Sequence, residues 1–165
     1  MGAYYYAAGR KVAIEPDDAH VAVDMTAAAK SGADKQVVSA GAANKVGGMI
    51  IAERSAFDDE TLTRLRDAGA LQPVYRRDRV LIVALPEVRI ELDNPEQHRA
   101  VIDALSKGPI PRHTITEDTE ERIVVKPASG NGDDALRIAN EIYERARPAA
   151  ASVRFIQVVP KPSLR

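Results

Sequence analysis

From Val80 to the C-terminus the sequence alternates between strand and helix periods, and that order restricts the fold more than any single motif. "VLIVALPEVRIEL" (Val80–Leu92) is rich in β-branched residues and reads as a strand interrupted at Pro86. "DNPEQHRAVIDALSKG" reads as a helix. Asn94 is its N-cap, Pro95 its first residue, Gln97 the partner in a capping box, and Gly108 its stop. Val101, Ile102 and Leu105 form the apolar stripe. "IPRHTIT" alternates as a strand with Ile110, His113 and Ile115 inward, "EDTEE" is a turn, and "RIVVKP" is a second strand. "ASGNGDD" is a loop ending in helix-capping aspartates. "ALRIANEIYERAR" is a helix stopped by Pro148, with Leu136, Ala139, Ile142 and Tyr143 on adjoining faces, and "SVRFIQVV" is the last strand.

The order β-α-β-β-α-β predicts an α+β fold, the ferredoxin-like split βαβ unit: an antiparallel four-stranded sheet with two helices on one face. The first half reads more weakly. "YYYAAGRKVAIE" and "HVAVDM" are strands around a turn at Glu15–Ala19. The Ala/Gly-rich stretch from Thr26 to Gly48 is a poor helix followed by a loop, or partly mobile. "MIIAE" is a strand. "DDETLTRLRDAGAL" is a helix capped by Asp58 or Asp59, with Leu62 and Leu65 inward, and "LQPVYRR" is a strand. The predicted organisation is a smaller, degenerate copy over residues 1–78 and a ferredoxin-like domain with a C-terminal tail over residues 79–165.

Aromatic residues make up only 4% of the chain, so the core must come from Val, Ile, Leu and Ala. A net charge of −1, with both signs spread along the chain, supplies no field for nucleic acid or an anionic membrane. Without cysteine, disulfides and thiolate chemistry are excluded. No signal core and no membrane-length apolar run is present, which predicts a cytoplasmic protein.

Motifs that carry chemistry are sparse. His20, His98 and His113 are not at metal-ligand spacing, and no cofactor or metal is expected. "SGNGDD" precedes a helix as a phosphate cradle would, but it lacks the lysine and carries Asp133 and Asp134, which repel phosphate. "TEDTEER" is a solvated turn or a partner-facing acidic knob. In "YYY", alternation puts Tyr4 and Tyr6 on one face and Tyr5 on the other. The strands that carry stacking aromatics in RNA-binding domains of this fold have none here. No nucleophile elbow occurs, so the chain reads as non-enzymatic.

"DALRIANEIYERARPAAASVRFIQVV" resembles the last helix and strand of subtilisin-like protease propeptides, and "QPVYRRDRVLIVALPEVRIELDNPEQHRAVIDAL" their entry strand and first helix. The opening "YYYAAGRKVAIEPDDAHVAVD" is similar to the start of the longer, two-part prodomains of some bacterial subtilases. The resemblance implies a chaperone or inhibitor that packs an apolar sheet face on a subtilisin-like serine protease, in cis or in trans. Its tail then lies in the substrate cleft as a cleavage product would, by strand addition. Arg165 would sit next to the cut bond, with Leu164, Ser163 and Pro162 in the successive subsites, and Gln157, Val158 and Val159 would be further partner contacts. Where such propeptides carry carboxylates at the end of the last strand, this chain has Ile156, Gln157, Val158 and Val159. No protease motif is present. The alternative is an adaptor of the same fold that pairs through a sheet face or edge strand, including as a homo-oligomer.

Overall fold

A computed structural model describes residues 3–32, 34–39 and 44–159 of the chain. The strands are β1 (Ala3–Ala7), β2 (Arg10–Pro16), β3 (His20–Asp24), β4 (Asn44–Val46), β5 (Met49–Glu53), β6 (Leu71–Gln72), β7 (Val74–Arg77), β8 (Val80–Glu91), β9 (His113–Asp118), β10 (Arg122–Pro127) and β11 (Ala150–Val158). The helices are α1 (Met25–Ser31), α2 (Asp34–Ser39), α3 (Asp59–Asp67), α4 (Pro95–Lys107) and α5 (Gly132–Ala146). The fold is therefore α+β, and every strand pair with a described register is antiparallel.

The chain forms two compact units that are discontinuous in sequence. One runs to Ile14 and takes in Ala84–Phe155; the other is Glu15–Val83 with the chain from Ile156 onward. This grouping differs from a cut after residue 78, because β2 and β8 each contribute residues to both units.

In the first unit the strand order is β9-β10-β8, with β11 also on β8. Asn94 caps α4 by accepting from the Gln97 amide at 2.8 Å, and Gln97 Oε1 accepts from the Asp93 amide at 2.8 Å. The loop before α5 is capped by Asn131, which accepts from the Asp133 amide at 2.7 Å. The expected capping aspartates, Asp133 and Asp134, instead lie inside the first turn, where the helix dipole favours carboxylates. Between β8 and the two helices lies an aliphatic core that includes Val88, Ile90, Val101, Leu105, Ile123, Val125, Leu136, Ala139 and Ile142. Each such branched side chain contributes roughly 1.5–3 kcal/mol on burial. Hairpin β1–β2 turns at Ala8 and Gly9, both with positive φ, a turn absent from the sequence reading. Tyr4 and Tyr6 donate to Glu144 Oε2 at 2.9 and 2.7 Å, while Tyr5 packs edge-on against Phe155. This is the alternation expected of "YYY".

The second unit has a sheet ordered β4-β5-β3-β6. Val21 pairs Ala52 and Val23 pairs Ile50, which sets these four on one face. They share a core with Ala28, Val37, Phe57, Leu62, Leu65 and Ala70. Asp58 caps α3, and Leu62 and Leu65 face inward as expected. The stretch from Thr26 to Gly48 holds two short helices and strand β4, which turns into β5 through Gly47 and Gly48 at φ 52° and 82°. The end of β2, β7 and the start of β8 form a further antiparallel ribbon. Strands β8 to β11 and strands β3 to β6, each set numbered in chain order, lie second-third-first-fourth, with helical segments after the first strand and between the third and fourth.

Two local expectations are corrected. β8 runs through Pro86 without interruption; Pro86 falls between the residues that pair with β7, up to Val83, and those that pair with β10, from Val88. Ile115 is 39% exposed rather than inward, although its partner Val125 is fully buried, because β9 is the edge strand. The helix α5 ends as expected ahead of Pro148, with Arg147 as its cap in the left-handed region.

Candidate partner-binding surface

The alternation "EVRIE" puts Val88 and Ile90 on the core side of β8 and Glu87, Arg89 and Glu91 on the opposite face. Cross-strand register sets Arg122 opposite Glu91 and Val124 opposite Arg89. Arg122 Nε lies 3.1 Å from Glu91 Oε1, Arg89 Nε 3.2 Å from Glu87 Oε1, and an Arg154 guanidinium nitrogen 4.0 Å from Glu87 Oε2. Glu87, Arg89 and Arg122 line a shallow cleft of about 230 Å³ together with Thr116, Glu117 and Lys126. This face was expected to be apolar for docking on a protease; it is a ladder of charges. Solvated pairs of this kind stabilise by about 0–1 kcal/mol each, so they add little to the stability of the fold.

At the rim of that face lies β9. Thr114, Ile115, Thr116, Glu117 and Asp118 are all exposed, and no described strand pairs with its outer side. A bulge between Val124 and Val125 leaves Thr116 as the extra residue. Beyond the bulge, Glu117 shares the charged face with Val124, while Asp118 turns to the helix side and meets His98 Nε2 at 2.6 Å. His98 is thus paired rather than simply solvated. Among the described residues the large exposed hydrophobics are Val46, Ile115 and Val159. Val46 and Ile115 lie on corresponding edge strands, β4 and β9, of the two units.

The expected product-like tail, Pro162, Ser163, Leu164 and Arg165, lies outside the described residues. Of the other expected contacts, Gln157 is exposed, Val158 is buried at 9% exposure and Val159 is 64% exposed. Of these three residues Gln157 and Val159 are therefore at the surface and Val158 is not.

The remaining polar groups are structural in their contacts. Asp17, with a side chain only 5% exposed, accepts from the Ala19 and His20 amides at 3.0 Å, faces His20 Nδ1 at 3.0 Å, and accepts from Arg76 Nε at 3.0 Å. Burial pushes its carboxyl up, but the hydrogen bonds and charges of His20 and Arg76 outweigh it and hold the group below its ordinary value. No sequence motif announces this hub, because Arg76 is remote in sequence. Tyr6 is pushed up to about 12, first by its hydrogen bond to Glu144 and then by burial. His113 Nδ1 lies 2.9 Å from the Pro111 carbonyl. A cleft of about 770 Å³ runs along α4 from Asn94 to Lys107 and is bordered by Glu120 and Glu121. Among the described residues no three His, Asp or Glu side chains are grouped to hold a metal ion. No described helix is long and apolar enough to cross a membrane.

The chain matches no family model, no curated protein and no solved structure.

Proposed function

We propose that this chain is a protein-binding module built from two ferredoxin-like units, and that it binds through the β9 edge and the charged face beside it. The observation that carries the reading is the edge: five consecutive exposed residues of a strand with no described neighbour on its outer side. Such an edge recognises a partner by main-chain hydrogen bonds, and the flanking charges select which strand can approach. The ferredoxin-like assignment is supported by the strand order β9-β10-β8-β11 with α4 and α5 as the connecting helices. The repeat is supported by the same order in β4-β5-β3-β6.

The test uses Ile115→Lys, which places a cation mid-edge on an exposed side chain. Wild-type and variant chains serve as baits in extracts of the cells that make the protein. A partner retained by wild type and lost from the variant supports the module; identical retention by both removes the edge from the mechanism.

The subtilase-propeptide reading is favoured by one observation, the strand order that ends on β11 with Gln157 and Val159 exposed. Its docking would rest on Glu87, Arg89, Arg122 and Arg154 instead of apolar burial. Inhibition of subtilisin by the full chain, lost on deleting Pro160–Arg165, is its expected result; unchanged inhibition by the shortened chain removes the product-like tail from it.

A further inference from the structure

We infer that the β9 edge pairs with the β9 edge of a second copy of this chain, antiparallel about a two-fold axis. This rests on the module reading and names the partner.

The strand is polar in charge along its length. Arg112 and His113 stand at its start; Glu117 and Asp118 stand at its end, followed by Glu120 and Glu121. An antiparallel copy lays the basic start of each strand along the acidic end of the other, twice over. A parallel copy sets like against like, which disfavours that arrangement.

The bulge decides the register. His113, Ile115 and Asp118 pair with Pro127, Val125 and Ile123, which places them toward the helix side of the sheet. Thr114 and Glu117 pair with Lys126 and Val124, toward the charged face. Without the extra Thr116, a strand facing its own copy with His113 opposite Asp118 would set those two side chains on opposite faces. With it, His113 and Asp118 share one face and Thr114 and Glu117 share the other. Arg112, one position before His113, falls on the charged face and reaches the diagonal Glu117 of the second copy. Ile115 comes close to its twin beside the axis, which covers one of the exposed aliphatic side chains. An unrelated, regular strand lacks the matching bulge, so the irregularity that protects this edge from general pairing is compatible with a second copy. The contact is isologous and closes as a dimer.

Strand-edge contacts lie at the small end of protein interfaces, so sedimentation equilibrium is run up to about 0.1 mM protein. Wild type is expected to reach a dimer mass, more weakly as salt is raised. Arg112→Glu alone and Glu117→Lys alone set like charges against each other and are expected to sediment as monomers, with unchanged far-UV spectra. An equimolar mixture of the two restores both opposite-charge contacts and is expected to recover the dimer. Monomeric wild type across the whole range, single variants that dimerise like wild type, or a mixture that stays monomeric would each overturn the inference. Such a failure leaves the Ile115→Lys capture result standing by itself, so loss of the dimer and loss of the module reading are separately visible.

Discussion

Gly132→Ala is expected to be the most damaging single methyl group that can be added to the first unit. An alanine Cβ there would sit 1.8 Å from the Ala84 carbonyl oxygen, 2.5 Å from its carbon and 3.0 Å from its Cβ. The obstacle is the backbone of β8, so no side-chain rotation relieves it. Either α5 lifts from the strand or β8 bends. Overpacking of this kind costs typically about 1–3 kcal/mol and more where nothing can rotate away. Movement at the start of α5 also endangers the Asn131 cap on the Asp133 amide, which contributes about 1 kcal/mol. The expected loss is therefore about 3 kcal/mol. With an m-value of roughly 1–3 kcal/mol/M, the urea midpoint should fall by about 1–3 M. Gly130→Ala in the same loop separates packing from conformation. Gly130 has φ 68° and nothing within 4 Å of an added Cβ, so its cost is the left-handed backbone alone, about 1–2 kcal/mol. If Gly132→Ala stays within about 0.5 kcal/mol of wild type, or costs no more than Gly130→Ala, the close approach of α5 to β8 is wrong.

Other outcomes follow from the same contacts. Asp17→Ala should destabilise the chain by about 2–4 kcal/mol in denaturant melts, since it strips partners from two amides, His20 and Arg76. Because the folded carboxyl titrates below its ordinary value of 3.8, its contribution is fully present above that pH and is lost as pH falls through the folded value; the variant should lack this acid limb. Glu144→Ala should lower the titration of both Tyr4 and Tyr6, read as phenolate absorbance, because the hydrogen bond to Glu144 is the largest cause of both elevations. Asn94→Ala should cost about 1 kcal/mol in the same melts, since the Gln97 amide loses its acceptor.

Much of the first unit was legible because its signals are local. Asn94 with Gln97, the aliphatic run of "RIVV", and the stripe Leu136–Ala139–Ile142 each act within one helix or one strand. The second unit was read less completely. Strand β4 is three residues long beside an Ala/Gly-rich stretch, too short to show a period. The Ala8–Gly9 turn was missed because alanine rarely takes positive φ. Ile115 was expected inside because alternation assigns a face without saying how far a helix extends over it.

The sequence by itself determined the elements from Val80 onward and their antiparallel α+β class, since hydrophobic period and caps are properties of neighbouring residues. The alternating charges of "EVRIE" were equally visible there, but not the face they occupy. Only the tertiary structure grouped the first fourteen residues with Ala84–Phe155 and made β9 an edge. It also brought Arg76 to Asp17 and Glu144 to Tyr4 and Tyr6. The reason is range: hydrogen-bond partners 59 to 140 residues apart leave no periodic trace in the chain and are set only when strands pair and helices pack.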